Sequence, residues 1–568
     1  MVKPKLITSY LKRKTTLEEA IASLAAEDGL SFNQIAKSKM IRRGLESLGY
    51  DKIPTSPNGV SAKISSFSQS VIKQYKEEIC EARKSSKFSV VFDEWSSVRI
   101  RRYVNITVLC GNKFWNLGLA RIIGSATSEN CLNVVESTLK TFGIEFKNDI
   151  VCIITDGCNV MKRIGNLIKP VNQQLCFAHA IQLAITDVLY SKEEETTQAS
   201  VEQDVVDEQD ELQAEELISS IFEPMNLNPK YKQLIQKVRS LVSKFRKSPL
   251  KNEILQKQCF IEFGKELQLI NDCRTRWNSL CSMLERFYQL RNCVQKAMID
   301  LTMQSDFTEK DFCDIKELVE ALKPVRSTVE AICRRDANLI TADVAFDCLI
   351  KHLANQKTPI SLQFQDKLVS HLEERRTDLS DVLKFLHTGN AKSSIHHSLS
   401  ILPANKTRIT KLIIDILKQL SDNQFAKEDE LGAFLEETDD DSMSFDQSPA
   451  KRQRLDEDFT VALNKAIDKS KEKNESEELL TEGGLSAAVK MEIQLFETNG
   501  FKLGSLNLLQ SAYSSLLTVS PTSVESERAF SSAGYLCNKF RSRLSDEMLN
   551  TICFLRAYFQ CNNAKNQM

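Results

Sequence analysis

The chain is predicted to fold as an α/β protein in which a mixed sheet of βββαβ order is interrupted by a large all-α insertion. Three observations carry that expectation. Short β-branched and aromatic runs between Lys87 and Ile123 recur at hairpin spacing. An Ile- and Val-rich run from Asp149 to Gly157 follows a helix-length segment, as a buried strand does. From about Lys230 to Leu420 nearly every segment repeats its apolar residues with the helical period. At 568 residues the chain is too long for one core and has room for about three or four structural units.

Taken in order, the first fifty residues carry helical spacing broken at Gly29 and closed by the loop IPTSPNG, which gives an N-terminal helical segment over 1–60. A helix is expected over 65–85. The runs KFSVVFDEW, YVNITVLC and KFWNLGLARII then read as three antiparallel strands, and SENCLNVVESTLKTFG as a helix. DIVCIITDG is the fourth strand, a helix follows from Asn159 to Ile168, and the short run QLCFAHA completes the sheet of a unit spanning 61–190. Beyond Tyr190 the composition changes: 193–216 is acidic, without aromatic residues, Lys or Arg, so 191–228 is expected to be a disordered acidic linker. The all-α insertion occupies 229–425. A second polar linker is expected over 426–480, and helical signal returns for 481–568, which completes the sheet domain.

Composition excludes several classes. Lys and Arg number 75 against 76 Asp and Glu, for a net charge of −1, so there is no global basic signature and any contact with nucleic acid must come from local clusters. Sixteen cysteines are scattered without a CxxC pair or a short-range Cys/His quartet, and the N-terminus lacks the apolar core of a signal peptide. Free thiols in a reducing compartment, and no structural zinc, are expected. No stretch approaches the roughly 18 apolar residues of a membrane span.

The stretch from Ser520 to Phe559 places a charged pair inside an apolar helical pattern. Thr522 and Glu525 have the spacing of a capping box, and Gly534 that of a stop. Glu527 and Arg528 sit deeper, beside Val524 and Phe530, where a charge near buried surface requires a partner or a metal. A second helix is expected from an N-cap at Ser545, with Leu549, Ile552, Leu555 and Phe559 along one face that requires a partner surface: either the sheet of the same chain or a second copy.

Two strands end in an aspartate, Asp93 in FSVVFDEW and Asp156 in VCIITDG. Either could simply cap the following turn. With Glu527 as a third, they supply the convergent carboxylates of a two-metal phosphoryl-transfer site, because hard divalent cations take oxygen ligands and a pair about 3.5–4 Å apart stabilises attacking and leaving oxygens.

The motifs DEW at Asp93–Trp95, ITDG at Ile154–Gly157, CFAH at Cys176–His179, TRWNS at Thr275–Ser279, SERAFSSAG at Ser526–Gly534 and RSRL at Arg541–Leu544 together resemble the hAT transposase superfamily. The resemblance spans most of the chain. It implies an RNase H-like domain split by an all-α insertion, a C-terminal dimerisation region, and Asp93, Asp156 and Glu527 as catalytic residues binding Mg²⁺ or Mn²⁺. It also implies that His179 handles DNA, where the bland reading is a core histidine, and that Trp277 stacks on an extruded base while its neighbour Arg276 holds phosphate; otherwise Trp277 is a helix-start core residue. Arg528, Arg541 and Arg543 are further DNA-binding candidates, and basic clusters at Arg99, Arg101 and Arg102 and along Lys232–Lys247 are weaker ones. Dimerisation through Leu549, Ile552, Leu555 and Phe559 is implied in the same way. The expected partners are DNA and a second copy, and the expected compartment is the nucleus, for which KRQRL at Lys451 is a candidate signal. Many members of this superfamily carry an N-terminal BED-type zinc finger; here the first cysteine is Cys80 and the first histidine His179, so none is expected within the chain's beginning. A catalytically inactive chromatin, transcription or scaffold protein built on the same body is the competing expectation.

Overall fold

The computed structural model describes residues 15–84, 86–96, 101–111, 113–125, 127–169, 171–191, 226–272, 277–418, 482–504, 506–536 and 544–567. The second expected linker lies wholly outside these residues and the first all but its edges, as do Arg276, Arg541 and Arg543.

Four helices lead into the sheet: α1 (Leu17–Ala26), α2 (Phe32–Lys37), α3 (Lys39–Ser47) and α4 (Pro57–Arg83). The last begins inside the expected loop, because Ser56 caps it by accepting the Gly59 N–H and Pro57 occupies its first turn, where a missing N–H costs nothing. The expected strands form β1 (Phe88–Ser96), β2 (Arg102–Cys110) and β3 (Lys113–Ile122), followed by α5 (Ser128–Thr141), the short α6 (Phe146–Asp149), β4 (Ile150–Thr155), α7 (Asn159–Leu167) and β5 (Asn172–Leu175). One five-stranded mixed sheet results, in the order β3-β2-β1-β4-β5. β1 pairs antiparallel with β2, Val90 facing Val108, and parallel with β4, Val91 facing Ile154; β5 continues parallel to β4. The run QLCFAHA is divided: the strand ends at Leu175, and CFAH opens the helix α8 (Phe177–Leu189). Its apolar residues Phe177, Ala180, Ile181, Ala184 and Ile185 recur at helical rather than alternating spacing, which explains the correction.

A two-stranded ribbon, β6 (Tyr190–Ser191) with β7 (Asn226–Leu227), leads into the helical insertion. It comprises α9 (Pro229–Arg246), α10 (Pro249–Phe263), α11 (Trp277–Gln289), α12 (Arg291–Asp300), α13 (Glu309–Ile332), α14 (Leu339–Gln356), α15 (Pro359–Arg375), α16 (Leu379–Thr388), the single turn α17 (Ser394–Ser398) and α18, residues 406–418. The C-terminal part contains α19 (Glu482–Thr498), α20 (Asn507–Leu516), α21 (Val524–Leu536) and α22 (Asp546–Gln567).

Strand alternation gives the sheet two buried faces. Val91, Cys152 and Ile154 point to one core, shared with α8, the insertion, α19 and α20. Val90, Phe92 and Ile153 point to the other, shared with α1, α4, α5, α7 and α22. Within this second core Leu549, Ile552, Leu555 and Phe559 are all buried, and Phe559 stacks on Phe67 of α4. Of the two partner surfaces considered for this helix face, these side chains have taken the chain's own; as a dimerisation face they are corrected, since none is left for a second copy.

Polar contacts fix α22 at both ends. Ser545 caps it as expected, and Asp546 in its first turn binds Arg101, Arg121 and the Tyr103 hydroxyl. Arg102 pairs with Glu94, so two of the three residues in that basic cluster are engaged within the fold. Farther along, Asn550 accepts the Leu119 N–H where Gly118, at φ +100°, brings β3 close; a Cβ there would stand 2.1 Å from the Asn550 oxygen. No helix among the described residues is long and apolar enough to cross a membrane.

Candidate active site

Asp93 and Asp156 meet because of strand register. Val91 lies beside Ile154 in the parallel β1–β4 pair, so two residues farther along each strand Asp93 and Asp156 stand side by side on the face of Val91 and Ile154. That face carries α8 and the insertion. Asp93 is buried, and its Oδ1 accepts the Glu94 N–H at 2.8 Å. Asp156 is half-buried just after β4 and accepts the Cys158 N–H at 3.1 Å, the turn that opens α7. Only Asp156 is thus a turn acceptor; Asp93, expected at a strand end, lies inside β1, which continues to Ser96.

Electrostatics brings in the third carboxylate. Burial, then the neighbouring charge of Asp156 and that of Glu527, push Asp93 up to about 7, against the opposing effects of His179 and the Glu94 N–H. Glu527 lies in the first turn of α21 and is exposed. Three residues from both sides of the helical insertion therefore share one electrostatic neighbourhood.

α21 is placed by contacts that sequence reasoning missed. Its first turn follows Ser523, and Glu525 does not return to Thr522 as a capping-box residue. Its carboxylate instead binds Arg335 at 3.1 Å and Arg528, while Arg528 also donates to the Cys333 carbonyl. These bonds tie α21 to the end of α13. Phe530, one turn on, stacks against Trp95 of β1 at 6.1 Å, and the helix runs past Gly534 to Leu536. Gly534 fails as a stop because that position is helical and its missing side chain leaves no steric demand.

Beside the carboxylates sits Cys176, fully buried, whose Sγ accepts the Ser523 N–H at 3.2 Å. Burial alone would push its thiol up, but a hydrogen bond with His179 and the histidine's charge outweigh burial and bring it down. His179 moves the opposite way: burial would lower it, and Cys176, Asp93 and Glu527 raise it to about 10. Each group thus favours the charged form of the other. His179 Nδ1 is buried with no hydrogen-bond partner. The Cys176 backbone N–H bonds the Thr155 carbonyl, and its carbonyl accepts Nη1 of Arg375 at 3.5 Å. Arg375, 3% exposed at the end of α15, lies with its guanidinium against Gly157, next to Asp156. CFAH announced Cys176 in sequence; nothing announced Arg375.

Among the described residues no Lys or Arg forms an ion pair with Asp93, Asp156 or Glu527. Hard carboxylate oxygens around a buried acid with two like charges nearby form a donor set that suits Mg²⁺ or Mn²⁺. The side chains are not drawn up around one ion position: no group of three or more potential ligands among the described residues is close enough to hold a metal as it stands. Trp277 opens α11, and its side chain lies outside what is described.

Two family models match the chain. Residues 216–322 match the ZBED1 RNase-like helical domain, and residues 494–559 match the hAT family C-terminal dimerisation region, which includes Glu527. A curated relative is tpeD of Talaromyces stipitatus, a transcriptional regulator by name, 23% identical over 324 residues that cover 51% of this chain. The aligned part is 36% of that protein, so the chain spans about a third of its length.

Proposed function

We propose that this chain, marked by its two family-model matches as an hAT-family transposase-derived protein, is a self-associating DNA strand-cleavage and strand-transfer enzyme with an RNase H-like sheet domain. The observation that carries the reading is the convergence of Asp93, Asp156 and Glu527, in which the charges of the other two help raise a buried acid. When bound by these three residues, Mg²⁺ or Mn²⁺ would supply Lewis-acid activation of water or a DNA 3′-hydroxyl at a phosphodiester. Asp93 presents its carboxylate from within β1 and Asp156 from just past the end of the adjacent β4. Glu527 approaches on a helix whose placement depends on the insertion. His179, kept cationic by its surroundings, offers positive charge to a phosphate entering the same space. Arg276, Trp277, Arg528, Arg541 and Arg543 are assigned to DNA contact, and the nucleus is the compartment this function requires.

A second reading is a catalytically inactive, dimeric regulator associated with chromatin. It draws on the name of the fungal relative and on the carboxylates not being closed around one ion position. A nicking assay on supercoiled plasmid with Mg²⁺ or Mn²⁺ separates the two. The enzymatic reading expects activity in the wild type and its loss in Asp156→Asn; equal activity in both, or none in either, favours the regulator.

A further inference from the structure

Arg375 ends α15 with its guanidinium buried, and its Nε has no hydrogen-bond partner. Acids of the same region serve other cations: Glu374 binds Lys162 of α7, and Asp343 and Asp381 bind Arg376. An apolar side chain of similar length would fill such a space without a desolvated charge to satisfy, so a buried arginine lacking an acid is a poor device for stability. The end that meets the sheet domain gives this one another use. A Cβ on Gly157 would meet Nη1 and Nη2 first, with Cζ behind them at 2.8 Å, so both terminal amino groups face the loop that follows β4 and carries Asp156. Nη1 also reaches the Cys176 carbonyl at 3.5 Å, where α8 begins.

The backbone that carries Arg375 is itself fastened to the sheet domain. His371, one turn earlier, pairs with Asp187 of α8 at 2.9 Å. Gln174 of β5 donates to the Arg375 carbonyl at 3.1 Å and accepts the Thr377 hydroxyl at 3.0 Å. Arg376 turns the other way, into the insertion, onto Asp343 and Asp381. We propose that Arg375 is a positioning residue for Asp156: from the insertion it braces the loop after β4, so that the Asp156 carboxylate stays beside Asp93 when a divalent cation is bound. It acts through Gly157, whose missing Cβ leaves room for the two amino groups. The inference rests on the catalytic part of the proposed function and gives the all-α insertion a share in the metal site.

The test uses the full chain, with Mn²⁺ binding followed by the electron paramagnetic resonance of the free ion and folding followed by thermal unfolding. The part of Mn²⁺ binding that Asp156→Asn abolishes defines the site. Arg375→Met removes the amino groups and keeps the bulk; it is expected to fold and to weaken binding at the site by about 10-fold or more, as loss of an outer partner of a metal ligand does. Arg375→Lys keeps a positive charge but lacks the fork, so its affinity should fall as well, and this variant carries the test if the Met variant does not fold. Arg376→Met breaks an ion pair within the insertion instead; it should lower the melting temperature and leave Mn²⁺ affinity unchanged. Wild-type affinity in either Arg375 variant overturns the positioning role, as does an equal loss in Arg376→Met, which would mark a general loosening of the insertion. A wild type that binds Mn²⁺ no better than Asp156→Asn overturns the positioning role and the catalytic reading together.

Discussion

Replacing Asp93 with Asn removes a charge that the fold resists without removing the atoms that fill its place. In the unfolded chain the carboxyl ionises near its ordinary 3.8, whereas in the fold burial, Asp156 and Glu527 hold it protonated up to about 7. The difference is worth about 4 kcal/mol. The sign follows from the direction. A raised acid costs the folded state nothing below pH 4; the penalty accumulates as the unfolded chain ionises and is complete once the pH passes about 7. Asp93→Asn should therefore match the wild type near pH 4 and be more stable by up to about 4 kcal/mol at pH 8, or up to roughly 8 °C in melting temperature. Thermal unfolding between pH 4 and 8, without and with Mg²⁺ or Mn²⁺, is the assay. The divalent ion should stabilise the wild type at pH 8 and leave the Asn variant unaffected. A variant with the same pH profile as the wild type, or one destabilised equally at every pH, would refute the electrostatic convergence of the three acids.

Three other perturbations probe the surroundings. Gly157→Ala would place a Cβ 2.3 Å from Arg375 Nη2 in a closed space, so a loss of about 1–3 kcal/mol is expected; additivity with Arg375→Ala in a double-mutant cycle would show that the two do not touch. Ile552→Ala, at a position with no exposure, should cost about 2–4 kcal/mol of unfolding stability and leave the dimer dissociation constant unchanged; the opposite pattern would place Ile552 at the subunit contact. His179, raised to about 10, contributes stability that is complete below its unfolded value near 6.5 and is lost as pH rises through about 10. Cys176→Ala should move the His179 titration, followed by NMR, to lower pH; an unmoved titration would mean the thiol is not its partner.

The elements of the sheet were legible because each strand carries its own signal of alternating or continuous β-branched runs, although β1 runs on past Asp93, where the sequence suggested its end, to Ser96. Register then does the rest: Asp93 lies inside β1, which continues to Ser96, and Asp156 just past the end of the neighbouring parallel β4. The helix at the C-terminus was equally legible, but its partner was not. A stripe such as Leu549, Ile552, Leu555 and Phe559 states that a surface must be covered and carries no information on which molecule supplies the cover. CFAH misled because a short apolar run has no room to express a period. Glu525 misled for another reason: the capping-box spacing is local, and Arg335, which claims its carboxylate, lies far away in sequence. Arg375 could not be found at all, since its setting against Gly157 is made entirely by the packing of the insertion.

The docking of α22 on β3 and α4 also has a consequence for how the chain is made. Arg556 donates to the Ala26 and Glu27 carbonyls, so the last helix is fastened to the first. Between the end of β3 at Ile122 and the start of α22 at Asp546 lies most of the polypeptide. At ordinary rates of synthesis, the ribosome needs on the order of a minute to cross it. Throughout that interval the apolar surface destined for Ile552 and Phe559 has no cover from its own chain. The sheet of a nascent molecule thus waits with one face incomplete until α22 has been made, and non-local contacts of this span are the slow ones to form.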